Sequence, residues 1–79
     1  MLTRALAKAL APQITVNSVA PGVIAFGDTD AGTDAMIRAT PMRRAGTARE
    51  VAEAVHFFLT APDFITGQTL AVDGGLSER

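Results

Sequence analysis

Two uncharged segments constrain this chain more than anything else in it. Residues 14 to 20 read Ile-Thr-Val-Asn-Ser-Val-Ala, and no charge occurs from Phe64 to Val72. Ile14, Thr15, Val16 and Val19 are β-branched, while Leu70 and Val72 alternate with Thr69 and Ala71. This chemistry suits pleated backbone and predicts strands over 14–20 and 68–72. Neither face of either strand carries a charge. Such strands are covered on both sides, as in parallel sheets.

The remaining segments predict what joins them. Thr47 with Glu50 three residues later forms a capping box for a helix over 48–60. Val51, Ala54, Val55, Phe58 and Leu59 line one stripe of it, and Pro62 closes it. A first helix over 2–11 carries Leu2, Leu6 and Leu10 with Ala5 and Ala9 beside them, and Pro12 stops it. That face suits either a core or a contact with another subunit. Strand, crossover helix and strand make a βαβ unit, expected parallel and right-handed. One crossover helix covers one sheet face at most, so the 79 residues ask for more sheet and another helix layer than they contain. With no cysteine in the chain, neither a disulfide nor a thiolate metal site substitutes for that core.

Composition removes several classes of function. Hydrophobic residues make 48% of the chain against 19% charged, which excludes a disordered segment. A net charge of −1 provides no basic field for nucleic acid, and the aromatics are all Phe, so no stacking platform stands out. The uncharged run from Ala9 to Gly27 is broken by Pro12, Gln13, Asn17, Ser18 and Pro21, which argues against a membrane helix. The start of the chain lacks the layout of a secretory signal, and with the absence of cysteine this points to the cytoplasm.

Residues 21–46 form a connection unusually long for a compact domain, and such connections serve as lids or binding segments. A short helix fits within it, with Thr33 as cap for Asp34 to Ala39 and Thr40-Pro41 as its end. The connection leaves the carboxyl end of a parallel strand, the edge where open α/β sheets bind ligands. Asp28, Asp30 and Asp34 with Gly32 depart from a calcium loop in glycine position and in the missing acid at the far end, so no metal site is expected. His56 lies on the flank of its helix and reads as a surface residue. Arg43 and Arg44 suit an anionic ligand or structural bonds to loop carbonyls. Tyr is absent, so no phenol can act as an acid. The chain contains no self-sufficient catalytic set.

Taken in order, Leu2-Thr3-Arg4-Ala5-Leu6-Ala7, Ile14 through Gly22, Arg44-Ala45-Gly46-Thr47, Glu50-Val51-Ala52, Ile65-Thr66-Gly67-Gln68 and Val72-Asp73-Gly74-Gly75 resemble the C-terminal third of a short-chain dehydrogenase/reductase. The resemblance implies the C-terminal βαβ portion of a Rossmann-like doubly wound parallel sheet, preceded by one helix. Residues 14–20 and 68–72 would be the sixth and seventh strands, and residues 1–79 one partial domain. It implies NAD or NADP as cofactor and a small-molecule substrate exchanging hydride at a carbonyl, hydroxyl or C=N group. Carried over, Pro21 and Gly22 shape the turn beside the nicotinamide, and the backbone around Val23 and Ile24 reaches its carboxamide. Asn17 becomes a structural partner at the strand end. Phe26 and Met36 are the substrate-loop positions. Phe26 stands where many members place a Thr that touches cofactor. Pro41-Met42-Arg43-Arg44 and the run from Phe57 to Pro62 are similar to pteridine-reductase-like members.

By family layout the glycine-rich fingerprint and the catalytic Ser, Tyr and Lys precede residue 1. The chain alone is therefore expected to be inactive, with the rest of a parent domain or a second copy as its partner. The alternative is a non-catalytic module acting by self-association or by pairing with a full-length subunit. Substrate and the choice between NAD and NADP are not readable from these residues.

Overall fold

A computed structural model describes residues 1–25, 27 and 30–77. Its order is α1 (Leu2–Leu10), β1 (Ser18–Pro21), α2 (Ala31–Ala39), α3 (Ala48–Thr60) and β2 (Thr69–Val72). The two strands pair in parallel, with Ser18 opposite Thr69 and Pro21 opposite Val72. The βαβ unit is thus present, and α3 packs on both strands. It begins with the expected capping box: Thr47 Oγ1 accepts from Glu50 N at 3.1 Å, and Glu50 Oε1 accepts from Thr47 N at 3.0 Å.

Several boundaries differ from the sequence expectation, and β1 also runs one residue further, to Pro21. The first helix ends at Leu10, because Pro12 pushes Ala11 into extended backbone (φ −68°, ψ 148°). The first strand starts at Ser18 rather than Ile14, because Ile14 N still bonds the Leu10 carbonyl and Val16 and Asn17 face irregular backbone at 65–68 instead of a strand. Val16 donates to Thr66 Oγ1 at 2.9 Å and accepts from Gly67 N at 2.7 Å. Asn17 completes that seam: Nδ2 donates to the Ile65 carbonyl at 3.2 Å and Oδ1 accepts from Gln68 N at 3.0 Å. Its expected structural role is what the geometry displays. The second strand likewise opens one residue later, at Thr69, although the Gln68 carbonyl accepts from Ser18 N at 2.9 Å.

The helix inside the long connection begins at Ala31, and its cap is Asp30 rather than Thr33. Asp30 Oδ1 accepts from Thr33 N at 2.8 Å. That backbone hydrogen bond from Thr33, reinforced by its side chain, holds the Asp30 carboxyl below the usual range. A carboxylate cap also sits well at the positive end of the helix dipole.

The strands do not receive the two-sided cover their composition suits. Among the described residues only Ala7 and Thr40 are buried, while Leu70 is 40% exposed, Leu59 78% and Phe64 99%. Surface area is 6008 Å², whereas a folded monomer of this mass exposes about 4,500 Å². The radius of gyration is 14.9 Å, against about 12 Å for a compact chain of this length. Among the described residues no helix is long and apolar enough to cross a membrane.

Candidate functional site

The carboxyl ends of β1 and β2 meet at a close backbone approach. Gly22 N donates to the Val72 carbonyl at 3.1 Å, extending the ladder one residue past Pro21. A Cβ on Gly22 would lie 2.7 Å from Asp73 Cβ and 2.8 Å from its Cα, so only glycine fits. Pro21 is tolerated in β1 because a proline is accommodated at an edge where no donor is required of it.

Beyond Gly22 the chain makes an isolated parallel bridge, Ile24 opposite Gly46. Gly46 N donates to the Val23 carbonyl at 2.8 Å, and Ala25 N donates to the Gly46 carbonyl at 3.0 Å. The two neighbours of Ile24 therefore make the bridge bonds. In such a bridge the central residue turns its own N–H and C=O to the opposite side. Among the described residues neither group of Ile24 has a hydrogen-bond partner. The strand end thus presents a neutral donor and acceptor side by side.

Gly46 is held in turn by the start of α3. Arg44 meets Glu50 with both arms of its guanidinium, Nη1 to Oε1 at 2.9 Å and Nη2 to Oε2 at 2.8 Å, and Nη1 also donates to the Ala45 carbonyl at 3.1 Å. Of the two roles open to Arg44, the structural one is what the geometry shows, with a carboxylate added to the expected carbonyl. Arg44 first, and then the Thr47 backbone N–H, pull the Glu50 carboxyl from 4.5 down to about 2.

The sign of the pH effect follows. A depressed carboxyl pKa contributes stability that is complete above pH 4.5 and lost as the pH falls toward about 2. Asp30 and Asp73 are shifted in the same direction, so wild type alone does not isolate Glu50. Comparing wild type with Glu50→Gln does: the gap in thermal midpoint between them should narrow through that window. A gap independent of pH would contradict the shift.

The far side of the connection docks on the turn after β2. Thr40, 2% exposed, donates from Oγ1 to the Met36 carbonyl at 2.8 Å and closes α2. Met42 N donates to the Gly74 carbonyl at 3.1 Å. Gly74 has φ +60°, and a Cβ there would stand 2.8 Å from Thr40 Cγ2. Asp73 fixes the turn by accepting from Gly75 N at 3.0 Å and Ser77 N at 3.1 Å. The Ser77 side chain first, and then the Gly75 backbone N–H, hold its carboxyl below the usual range. The residues enclose a cleft of 340 Å³ bordered by Val23, Met42, Arg44, Glu50 and Asp73. Among the described residues no group of three His, Cys, Asp or Glu is placed to hold a metal ion.

The family model described as enoyl-(acyl carrier protein) reductase matches residues 1–77, over the same run of motifs that resembles a short-chain dehydrogenase/reductase. The chain belongs to the short-chain dehydrogenase/reductase family. It is 51% identical over 77 residues to carbonyl reductase family member 4 of Danio rerio, covering 94% of this chain and 32% of that protein. It is 37% identical over 76 residues to dihydromonapterin reductase of Citrobacter koseri, covering 94% of this chain and 31% of that one. A solved structure of 4-hydroxyisoleucine dehydrogenase complexed with NADH matches with a TM-score of 0.86 and 26% identity, over 99% of this chain and 35% of that one. The chain therefore spans about a third of the length of the short-chain dehydrogenases/reductases it matches.

Within this family member, Pro21, Gly22, Val23 and Ile24 lie at the carboxyl end of β1. Met36 lies elsewhere, on α2, half-exposed and outside the lining of the cleft. Phe26 is outside the described residues. Sequence reasoning did not single out Gly46 or the Arg44–Glu50 pair as parts of this edge. The usable signal was present: a capping-box acid six residues after an arginine can serve both.

Proposed function

We propose that residues 1–79 form the C-terminal part of an NAD(P)-dependent oxidoreductase domain, with 21–46 as its substrate and cofactor connection. The reading is carried by the outward amide of Ile24 at the carboxyl edge of a parallel sheet. A nicotinamide carboxamide offers one acceptor and two donors, so the N–H and C=O of Ile24 can hold it by two hydrogen bonds without added charge. Gly22 leaves the approach free of side chain. When bound, the dinucleotide supplies or accepts hydride at a carbonyl, hydroxyl or C=N carbon of a small substrate. This chain's part is to fix the face the nicotinamide presents, while Pro21 and Gly22 set the turn. The similarity to a dihydromonapterin reductase supports a pterin among the C=N substrates. The solved NADH complex supports a dinucleotide and is compatible with either NAD or NADP here. Proton transfer falls to the family's catalytic Ser, Tyr and Lys, and its tyrosine has no counterpart among these residues. We place the assembled enzyme in the cytoplasm.

Titrating the chain with nicotinamide mononucleotide, followed by backbone amide NMR, tests the reading. The expected result is a shift centred on Ile24 and its neighbours Val23 and Ala25, with no oxidation of NADH or NADPH when carbonyl or pterin substrates are added. Turnover by this chain, or shifts confined to α1 or α3, would overturn it.

One observation favours a second reading, a module that acts by association. The surface left over beyond a compact monomer, with Leu59 and Phe64 78% and 99% exposed, is apolar area that a partner would cover. Sedimentation separates its forms: a mass that doubles with concentration indicates self-association, and a monomer throughout leaves pairing with a full-length subunit.

A further inference from the structure

The Arg44–Glu50 pair is far from idle on the surface. Glu50 Oε1 receives Arg44 Nη1 and the Thr47 N–H, while Oε2 receives Arg44 Nη2. Arg44 also holds the Ala45 carbonyl. One carboxylate thus ties residues 44, 45 and 47 to the first turn of α3, leaving Gly46 between fixed neighbours. Gly46 then makes both bonds of the Ile24 bridge. A bidentate guanidinium–carboxylate pair fixes direction as well as distance, which a single ammonium contact does not.

We propose that Arg44 and Glu50 are positioning residues: their clasp holds Gly46 in register with Val23 and Ala25 and so keeps the amide of Ile24 turned outward. The proposal rests on the reading of Ile24 as a ligand contact only for its functional consequence. The clasp itself stands on the geometry. Unlatched, residues 44–47 gain freedom, the bridge opens locally, and Ile24 loses its fixed direction while the β1–β2 ladder persists.

Amide hydrogen exchange on the full chain tests this. Arg44→Met should raise exchange at Gly46 and Ala25 by about tenfold or more, while Ser18 and Gly22 in the ladder change by less than about threefold. Arg44→Lys keeps the charge without the fork and should fall between the two. Arg49→Met, which removes the exposed 3.9 Å pair with Glu53 on the same helix, should leave Gly46 and Ala25 unchanged. Selective loss at Gly46 and Ala25 supports the clasp. Three results overturn it: no change on Arg44→Met, an equal loss at every amide, or no protection at these two amides in wild type. A second arm measures nicotinamide mononucleotide binding at Ile24, which Arg44→Met should weaken more than it weakens the ladder. If wild type shows selective protection but no shift at Ile24, the clasp is supported and the ligand reading alone fails.

Discussion

Gly22→Val should cost the chain the largest share of its stability of any single substitution at the sheet edge. The added Cβ would lie 2.7 Å from Asp73 Cβ, well inside the roughly 3.5–4.0 Å of ordinary carbon contact. Asp73 cannot retreat freely, because its two oxygens hold Gly75 N and Ser77 N. The strand ends must therefore separate, breaking the Gly22-to-Val72 bond. Overpacking of this kind costs about 1–3 kcal/mol and occasionally more, and the lost ladder bond adds about 1 kcal/mol. Denaturant unfolding reads the change. Gly32→Ala is the control: its Cβ would meet only Asp30 Oδ1, at 3.5 Å, and alanine favours the helix by up to about 1 kcal/mol. If the two substitutions behave alike, the close approach at Gly22 is not what fixes the sheet edge.

Gly74→Ala should cost about as much. At φ +60° an L-residue is strained, and the Cβ would meet Thr40 Cγ2 at 2.8 Å. Left-handed backbone costs roughly 1–2 kcal/mol, and the crowding adds about 1–3 kcal/mol. Thr40 is buried and tied to the Met36 carbonyl, so it has little room to yield. The expected signature differs from that of Gly22. Exchange at Met42 N should rise with the loss of its bond to Gly74, while the amides of Ser18 and Gly22 keep their protection. Uniform loss across the sheet would show that residues 40–42 do not rest on this turn as a separate contact.

What was legible in the sequence depended on how locally it was encoded. The capping box of Thr47 and Glu50 and the apolar stripe behind it sit within one helix, and α3 forms with the expected ends. The parallel pairing followed from uncharged strands and a crossover helix. Less legible were choices between nearby equivalents. Asp30 and Thr33 are both good caps, and the earlier one gains an extra turn. Ile14 to Val16 look like strand because their side chains are β-branched, yet a strand also needs a strand beside it, and the neighbour of Val16 is irregular backbone at Thr66 and Gly67. The outward amide of Ile24 could not be read from local pattern, and only the family resemblance pointed to that backbone. Its direction is set by Gly46, distant in sequence, and Gly46 is set by Arg44 and Glu50.

The two ends of the long connection are fastened separately, one by the Ile24–Gly46 bridge and the other by the docking of Met42 on Gly74. The segment between these fastenings is therefore a loop with a closed neck. For a flexible loop, doubling the length costs only about 0.6 kcal/mol, and a closed neck keeps that cost from reaching the strands. Residues 31–35, ahead of the Met36 carbonyl that holds Thr40, can change in character while the register of β1 on β2 stays put. In engineering terms, this separates two adjustments: a different segment can be grafted above the neck, and the fastenings below it need not be rebuilt.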